Sequence, residues 1–477
     1  MTANPQSSKD SKRSHIASLR FRGLFFLAGS LLAVTTLAEP DSKPNEYSFR
    51  RETIEETLDV AEVLAGFPVR FCLLTKDDRQ VVAYYDKARQ MTVASRTLGS
   101  DQWQTQVLPS RIGWDSHNYV TMAIDHDGQL HVSGNMHNVP LIYFRTEKAG
   151  DISTLKQYAM TGKLEDRVTY PKFLKDHRGE LIFTYRHGGS GNGNTIYNRY
   201  NRKKHFWTRL LDTPLFDGEG RRNAYPLGPV RGPDGWFHVV WVWRDTPDCA
   251  TNHHLSYVRS RDLIHWESAF GEPVKLPIKM SQKELWVDPI PIHGGIINGG
   301  EKLAFGADNR PIITYHKSDE KGNMQIYAAR PAEKTWAVHQ LTDWNKPVVF
   351  GGRGSMGFIG IRVSEVIQAE PGVLTMTYQH QDYGEGQLVM DAETLKPLNR
   401  TLPAVPEFPK EMTGIQSDYP GMGIQRVSDI GNSDEAGVRY LLQWETFGRN
   451  YDRARKPPLP KPSMLKLYKL KSMPSKE

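Results

Sequence analysis

The chain has 477 residues, 38% of them hydrophobic and 10% aromatic, which is ample for the core of one large or several ordinary domains. Only two cysteines, Cys72 and Cys249, are present, which excludes a scaffold held together by disulfides. The formal net charge is +7, but much of the basic excess follows Arg449, where a solvated tail explains it better than a nucleic-acid surface.

The first 38 residues have the order of a secretory signal peptide. A polar and basic stretch leads into an apolar run at residues 24–37, and small residues precede Glu39. The run is too short to span a bilayer comfortably, although a membrane anchor is the alternative. Removing residues 1–38 takes away five Lys or Arg and one acid, so the charge falls from +7 to +3. We expect a secreted or periplasmic protein that acts as a monomer and has no membrane contact after signal removal.

Residues 39–67 are predicted to be an N-terminal lead-in to the main domain. Apolar side chains recur within residues 52–64, at Ile54, Leu58, Val60, Ala61 and Leu64. This spacing favours one short helix, or a segment that leads directly into the first repeat.

A repeated unit dominates the remaining sequence. Each copy has a polar turn with Asp or Gly, then an alternating apolar strand, then an aromatic or charged residue. The seven copies are DDRQVVAYYDK (77–87), DHDGQLHVSGNMH (125–137), DHRGELIFTYRHG (176–188), PDGWFHVVWVWRD (233–245), DNRPIITYHKSD (308–319), EPGVLTMTYQHQD (370–382) and DEAGVRYLLQWE (434–445). Seven copies at blade-sized intervals predict an all-β fold, a single seven-bladed β-propeller over residues 68–477.

One turn in the sequence has the form of an Asp-box. Ser260, Asp262 and Trp266 are spaced as S-x-D-x-x-x-W. In this motif the acid caps a hairpin turn and the tryptophan fills the space between sheets. We expect the motif to be structural, and a single copy is a weak indication of a carbohydrate-active propeller.

Four polar residues stand at the ends of strand-like runs in the second and third copies. His117 precedes one strand and His137 follows the next, while Tyr170 and Arg186 hold the equivalent places one repeat later. Because strands that run out and back return to the same side of a sheet, we expect the four side chains to converge in one pocket. The alternative is that each is a hydrogen-bonded structural residue.

Together these four side chains suit β-elimination from a uronic acid. Arg186 offers a permanently charged fork that can neutralise the carboxylate and so acidify the neighbouring C5 proton. A histidine can remove that proton near neutral pH, and a hydroxyl such as that of Tyr170 can protonate the departing oxygen. Which residue is the base and which is the acid stays open from the sequence.

The segments around these residues resemble a known family. SHNYVTMAIDHDGQLHVSGNMH, TYPKFLKDHRGELIFTYRHGGSGNG, NHHLSYVRSRDLIHWESAFGEPVKLPI and FGADNRPIITYHKSDEKGNMQIYAAR are similar to the BNR-4 type of secreted propeller, which includes the ulvan lyases of polysaccharide lyase families 24 and 25. The resemblance implies a seven-bladed propeller that cleaves sulfated ulvan at its uronate. It also implies that His117 and His137 are the active-site histidines, Tyr170 the acid–base phenol and Arg186 the carboxylate neutraliser.

Further polar residues on the same or neighbouring repeats are candidates for substrate binding. They are Asn118, His187, Arg244, Asn252 and His316. A sulfated, uronate-containing polysaccharide is the expected partner, and the residual positive charge suits it through electrostatic steering.

A third cluster could hold a metal ion. Cys249 and His253, together with His238 on the preceding strand, offer zinc ligands, and the lyases that the chain resembles carry a structural zinc. The spacing matches no tight metal motif, and a loop thiol with surface histidines is the alternative. One structural zinc ion is the candidate cofactor, and no organic cofactor is expected.

Two other functions fit parts of the sequence. Propellers with Asp-boxes are often sialidase-like glycoside hydrolases, but three well-placed arginines with a tyrosine–glutamate nucleophile pair are not recognisable here. A non-catalytic glycan-binding propeller with structural histidines is the second alternative.

Overall fold

Side chains that alternate between buried and exposed build antiparallel sheets through almost all of the chain. The computed structural model describes residues 51–403, 406–431, 433 and 435–473, and the predicted signal peptide lies outside them. Short 3₁₀ turns are the only helices in the described residues, at Ile152–Thr154, Cys249–Thr251, Lys283–Leu285 and Lys410–Met412. None of the described helices is long and apolar enough to cross a membrane.

Seven sheets account for the strands. After β1 (Glu52–Val63), the first part of the chain supplies β2 (Cys72–Lys76), β3 (Arg79–Tyr85), β4 (Gln90–Thr97), β5 (Gln104–Arg111), β6 (Val120–Ile124), β7 (Leu130–Gly134), β8 (His137–Val139), β9 (Tyr143–Thr146) and β10 (Leu155–Gln157). Strands β2 to β5 form the first sheet in chain order, and the second has the order β6-β7-β9-β10. Strand β8 leaves the second sheet and joins the third.

The third and fourth sheets carry the middle of the sequence. Their strands are β11 (Val168–Lys175), β12 (Leu181–Gly189), β13 (Asn192–Asn201), β14 (Phe206–Arg209), β15 (Asn223–Arg231), β16 (Phe237–Arg244), β17 (Asn252–Ser260), β18 (Trp266–Glu267) and β19 (Trp286–Asp288). The third sheet has the order β8-β11-β12-β13-β14. The fourth has the order β15-β16-β17-β18, with β19 also paired to β17.

Three more sheets complete the fold. Their strands are β20 (Lys302–Phe305), β21 (Pro311–Ser318), β22 (Met324–Ala332), β23 (Thr335–Gln340), β24 (Ile361–Val363), β25 (Ile367–Glu370), β26 (Val373–His380), β27 (Gly384–Asp391), β28 (Met422–Ser428), β29 (Val438–Phe447) and β30 (Ser463–Ser472). The fifth sheet runs from β20 to β23. In the sixth, β24, β25 and β27 all pair with β26, and the seventh has the order β28-β29-β30-β1.

The predicted repeats coincide with these sheets. Each copy contains the turn between two neighbouring strands and the strand that follows, and every copy falls in a different sheet. The turn acids work as expected: Asp125 Oδ1 accepts N–H bonds of 2.9 Å from Asp127 and Gln129. In the same turn Gly128 has φ +79°, a conformation that favours glycine. The prediction of an all-β fold is therefore confirmed.

The predicted short helix in the lead-in is wrong, because residues 52–63 form strand β1. Inward-facing positions of β1 alternate strictly up to Val60, but two of them are acids, which hides the alternation in the sequence. Glu52 is held by Arg439 at 2.6 and 2.7 Å, and Glu56 by Arg96 at 3.1 Å. Since β1 pairs with β30 from Glu52 to Val63, residues 52–63 belong to the seventh sheet and the domain begins before residue 68.

Hydrophobic clusters join sheets that are neighbours in the chain. One cluster combines side chains of the seventh, first and second sheets, and others join the second to the third, the third to the fourth, the fourth to the fifth and the fifth to the sixth. The first and seventh sheets also share polar contacts. Asp429 accepts the N–H of Thr75 at 2.8 Å, and Ile430 donates to the carbonyl of Leu73 at 2.9 Å. The two ends of the described chain are thus tied together.

The Asp-box prediction is confirmed as a turn. Asp262 Oδ1 accepts the N–H groups of Ile264 and His265 at 2.8 Å each. Trp266 is buried in the cluster between the third and fourth sheets, and its indole N–H donates to the carbonyl of Leu263 at 3.2 Å. The motif stabilises the fold through these contacts.

The seventh sheet gives a direct test of the fold. Leu467 on β30 is 0% exposed within the cluster shared with the first sheet, whereas Met464 on the same strand is 38% exposed. We expect Leu467→Ala to cost about 2–5 kcal/mol of unfolding free energy, because it leaves a cavity in a packed core. The matched Met464→Ala should cost less than about 0.5 kcal/mol. Equal effects in urea denaturation would contradict the placement of β30 in the core.

Candidate active site

The register of three strands brings His137, Tyr170 and Arg186 together, and His117 joins them from the turn before β6. His137 on β8 is opposite Thr169 on β11, and Thr169 is opposite Arg186 on β12. Tyr170 follows Thr169 where the β11–β12 register shifts. The ring centroids of His117 and His137 are 4.4 Å apart, and those of His117 and Tyr170 are 5.9 Å apart. The four side chains therefore lie close together, as the sequence predicted.

An acid that the sequence analysis missed lies between the two histidines. Asp115 Oδ1 is 2.7 Å from Nδ1 of His117, and its other oxygen pairs with Nδ1 of His137. The same carboxylate accepts the backbone N–H of His117 at 2.8 Å. Asp115 is only two residues from His117, so the D-S-H pattern in the sequence could have signalled it.

A second missed acid comes from the far end of the chain. Asp452 Oδ2 lies 3.3 Å from Nδ1 of His117, and Oδ1 accepts the N–H of Ser116 at 3.1 Å. Burial alone would lower the pKa of His117, but its contacts with Asp115 and Asp452 outweigh burial and raise it. Burial would raise the pKa of Asp115, yet hydrogen bonds to both histidines hold it far below its usual range. The two carboxylates therefore favour the protonated form of His117 more than solvent does.

Tyr170 is held in an uncommon backbone conformation. Its φ is +58°, in the left-handed region that bulky residues rarely adopt, and such strain is common at functional sites. Burial and the neighbouring Tyr225 raise the pKa of Tyr170 to about 12, although Arg186 and Arg244 oppose the shift. The phenol keeps its proton at neutral pH and can donate it.

Arg186 is a buried cation whose hydrogen bonds all go to uncharged oxygens. It is 4% exposed, and its guanidinium donates to Gly188 O at 3.1 Å, to Thr169 Oγ1 at 3.1 Å and to Tyr225 Oη at 3.5 Å. Its Cζ lies 4.9 Å from the ring centroid of Tyr170. Among the described residues, no carboxylate oxygen lies within 4.0 Å of it. A buried charge of this kind favours an anionic ligand.

Three of the predicted substrate-binding residues lie around this group. Asn118 follows His117, and its carbonyl accepts the hydroxyl of Tyr85 at 2.6 Å. His187 is partly exposed at the end of β12, with Nε2 2.9 Å from Asp166. Arg244 ends β16 on the neighbouring sheet, and its Cζ lies 5.3 Å from the ring centroid of Tyr225. Of the three, Arg244 is linked to Arg186 through Tyr225, whose ring lies near both guanidinium groups, while substrate binding by Asn118 and His187 stays a prediction.

The other two predicted substrate-binding residues are buried. Asn252 is 0% exposed and donates to Cys249 O at 2.6 Å, while its Oδ1 has no hydrogen-bond partner among the described residues. His316 is 1% exposed, and its Nδ1 is 2.8 Å from Gly295 O. Burial lowers the pKa of His316 to about 4. His316 thus has a structural hydrogen bond, and its contact with substrate stays a prediction.

The predicted metal ligands do not form one group, so that prediction of a ligand set is wrong. His238 pairs with Arg259, near one end of β16 and β17, whereas His253 pairs with Trp243 at the other end. His238 contacts Asp234 at 3.0 Å, and His253 contacts Asp245 at 3.0 Å. Cys249 lies 3.8 Å from the sulfur of Met356. The sequence could not reveal this, because the separation comes from the register of the strands.

A different trio has metal-binding geometry. One ligand atom from each of Asp115, His117 and His137 lies within 4.8 Å of the others, and this is the only such group in the described residues. The three side chains could hold a divalent cation. They could equally share a proton, since each imidazole already hydrogen-bonds to the carboxylate.

The site thus combines a buried arginine that can bind an anion, two histidines that both contact the carboxylate of Asp115, and a neutral phenol that keeps its proton. A sequence model of the BNR repeat-containing family matches residues 79–344, which is more than half of the chain. The chain belongs to this family, as the resemblance of its motifs predicted.

Among curated proteins, the chain is similar to ulvan lyases. It is 38% identical over 205 residues to the short isoform from Alteromonas sp. (strain LOR), across 37% of this chain and 38% of the relative. It is 40% identical over 137 residues to the long isoform from Pseudoalteromonas sp. (strain PLSV), across 26% of this chain and 14% of the relative. The matched segments span less than two fifths of the length of either relative.

Two solved structures share the fold over most of the chain. Polysaccharide lyase Uly1 superposes with a TM-score of 0.59 at 13% identity, covering 88% of this chain and 99% of that one. A PL25 ulvan lyase bound to -[GlcA(1-4)Rha3S]- superposes with a TM-score of 0.54 at 14% identity, covering 84% and 94%. At such identities the likeness establishes the fold.

Substituting Asp115 tests the electrostatics of the site. In Asp115→Asn the pKa of His117 should fall, because burial is then opposed by fewer negative neighbours. Histidine titration by NMR measures this. Asp166→Asn is the matched control, since Asp166 contacts His187 instead. An unchanged His117 titration in Asp115→Asn would contradict the assignment.

The same contact predicts a pH dependence of stability. A histidine pKa raised by folding stabilises the protein fully below the unfolded value of about 6.5, and this contribution is lost as pH rises through the folded value. The melting temperature of the parent should therefore exceed that of Asp115→Asn by more at pH 6 than at pH 9. A difference that grows towards pH 9 would contradict the raised pKa.

Proposed function

We propose that this protein is a polysaccharide lyase that cleaves a uronate-containing polymer by β-elimination. The observation that carries the proposal is Arg186, a buried guanidinium without a carboxylate partner in the described residues and beside a phenol and two histidines. A uronate carboxylate placed against Arg186 would have its charge neutralised, which acidifies the proton on C5. As the carbanion develops, negative charge moves onto the carboxylate oxygens and the contact with Arg186 strengthens.

The remaining side chains supply the proton transfers. His137 is held by Asp115 through Nδ1, so its Nε2 is left to accept the C5 proton. Tyr170, whose pKa is raised to about 12, donates its proton to the glycosidic oxygen as the C4–O bond breaks and the C4–C5 double bond forms. His117, held between Asp115 and Asp452, supplies positive charge beside the reacting atoms.

We infer that the seven sheets are the blades of one β-propeller. Every sheet contains one sequence repeat, each sheet from the first to the fifth shares a hydrophobic cluster with the next, and the seventh sheet contacts the first. Pairing of β1 with β30 places both ends of the described chain in one sheet, a common way to close such a ring. In this arrangement the four catalytic residues lie on one face of neighbouring blades.

A sulfated rhamnose–uronate polymer is the substrate class we propose. Relatives that match parts of the chain are named ulvan lyases, and a protein of the same fold was solved with -[GlcA(1-4)Rha3S]-. Secretion follows from the predicted signal peptide and suits an enzyme that meets polymers outside the cell. A structural zinc and a monomeric state stay predictions.

The test of the proposed reaction is the appearance of ultraviolet-absorbing unsaturated ends on a panel of uronate polysaccharides. A lyase creates them, whereas a sialidase-like hydrolase or a glycan-binding protein does not. We expect His117→Ala and His137→Ala to lose about a hundredfold or more in kcat, the usual contribution of an acid–base group for His137 and of a charge-stabilising group for His117. Both side chains are partly exposed, so at pH 9, where the charged form of His117 no longer contributes stability, the melting temperatures should change little. A collapse in melting temperature with activity retained per folded molecule would make them structural.

The substitution Arg186→Lys distinguishes most clearly between a lyase and a glycan-binding protein. It keeps the charge and loses the two-pronged fork, so kcat/KM should fall on the order of a hundredfold, with a loss in kcat as well as in KM. Arg209→Lys on β14 of the same sheet is the matched control and should retain activity. Parental kcat in Arg186→Lys would refute the assignment of Arg186 as the carboxylate neutraliser.

A further inference from the structure

A long segment without regular structure crosses the face that carries the catalytic residues. It occupies residues 341–360 between β23 and β24, and we call it the crossing segment. At one point it contacts the fourth sheet, where Gly352 donates to Asp248 at 2.8 Å. Three residues later it meets the loop after β29, where Ser355 donates to Asp452 Oδ2 at 2.7 Å. Because Asp452 Oδ2 also contacts His117, the crossing segment borders the reaction centre.

Two arginines flank this junction. Arg449, three residues before Asp452, is exposed, and its Nη1 donates to the carbonyl of Met356 in the crossing segment at 3.5 Å. Arg362 lies on β24 directly after the segment, with Cζ 5.7 Å from the ring centroid of Phe358. In the described part of the chain, neither guanidinium has a carboxylate oxygen within 4.0 Å. The pair forms a positive patch in which neither arginine has a direct ion pair among the described residues.

The electrostatics of the patch favour an anion. Desolvation lowers the pKa of Arg362, and the charge of Arg449 lowers it further, so the two cations repel each other. Glu385 opposes this lowering only in part, so the pKa of Arg362 stays below its ordinary value. An anion between the guanidinium groups would relieve this repulsion and accept charge-assisted hydrogen bonds.

The surroundings of the patch suit a sugar. Phe358 and Tyr451 are 43% and 50% exposed, unusually open for aromatic side chains, and they belong to the two segments that meet here. Tyr451 donates its N–H to Ser355 O at 2.9 Å, which fixes these segments against each other. Exposed aromatic faces can pack against the apolar faces of sugar rings, while the arginines take a charged substituent.

We propose that Arg362 and Arg449 form an anion subsite that binds the sulfate ester on the sugar next to the cleaved uronate. This inference rests on the proposed lyase function, in which Arg186 already takes the uronate carboxylate. A sulfate monoester is negative at all relevant pH values and has three terminal oxygens, enough to accept bonds from two guanidinium groups. Arg362 and Arg449 are thus determinants of specificity, and Arg186 is the residue that acts in the chemistry.

The experiment compares a sulfated rhamnose–glucuronate polymer with the same polymer after chemical desulfation. For Arg362→Gln and Arg449→Gln, the ratio of kcat/KM on the sulfated polymer to that on the desulfated polymer should fall about tenfold, mainly through KM. Arg261→Gln is the matched control: it removes the same charge from an exposed site just beyond the opposite end of β17 from Asn252, and its ratio should stay parental.

Equilibrium binding of sulfated and desulfated oligosaccharides tests the sulfate subsite independently of the proposed lyase activity. If the parent cleaves neither polymer but prefers the sulfated oligosaccharide, and both variants lose that preference, the lyase proposal fails and the subsite stands. An unchanged ratio in both variants, or an equal loss on sulfated and desulfated ligands, would overturn the subsite. Equal loss would instead assign the patch to a second uronate carboxylate. A parent that does not distinguish the two ligands also overturns it.

Discussion

The hydrogen-bonded register across β8, β11 and β12 is the constraint on which the site depends. It sets His137, Thr169 and Arg186 in one row. Thr169 Oγ1 accepts two hydrogen bonds, one of 3.1 Å from the guanidinium of Arg186 and one of 2.8 Å from the backbone N–H of Asn138. A shift of one residue in any of these strands would turn the catalytic side chains to the opposite face. The row exists because β8 leaves its own sheet and pairs with the next one.

Charge in the site is arranged in two separate groups. Asp115 and Asp452 surround the imidazole of His117, so negative and positive charges are compensated there. Arg186 is packed among Tyr170, Tyr225 and Thr169, which offer no negative charge. A substrate carboxylate can therefore be drawn to Arg186 without competing with a protein acid, while the histidines stay oriented for proton transfer. The local hydrogen bonds of these two groups thus support the reaction that we propose.

The turn chemistry explains why the repeats could be recognised. Acids such as Asp125 and Asp176 accept backbone N–H groups within their own turns, and alternating strands follow at once. These contacts are local, so sequence patterns reveal them. Strand β1 shows where the approach fails: Glu52 and Glu56 face inward because Arg439 and Arg96 are opposite, and those partners are distant in the chain.

The sequence by itself determined the all-β class, the seven repeats, the Asp-box turn and the convergence of His117, His137, Tyr170 and Arg186, because alternation and turn residues act over a few positions. Only the tertiary structure decided which partners complete the site. Asp452 reaches His117 from 335 residues further along the chain, and the crossing segment brings Arg362 and Arg449 to the same edge. The tertiary structure also places His238 and His253 near opposite ends of the β16–β17 pair, because strand register rather than distance along the sequence decides which side chains meet.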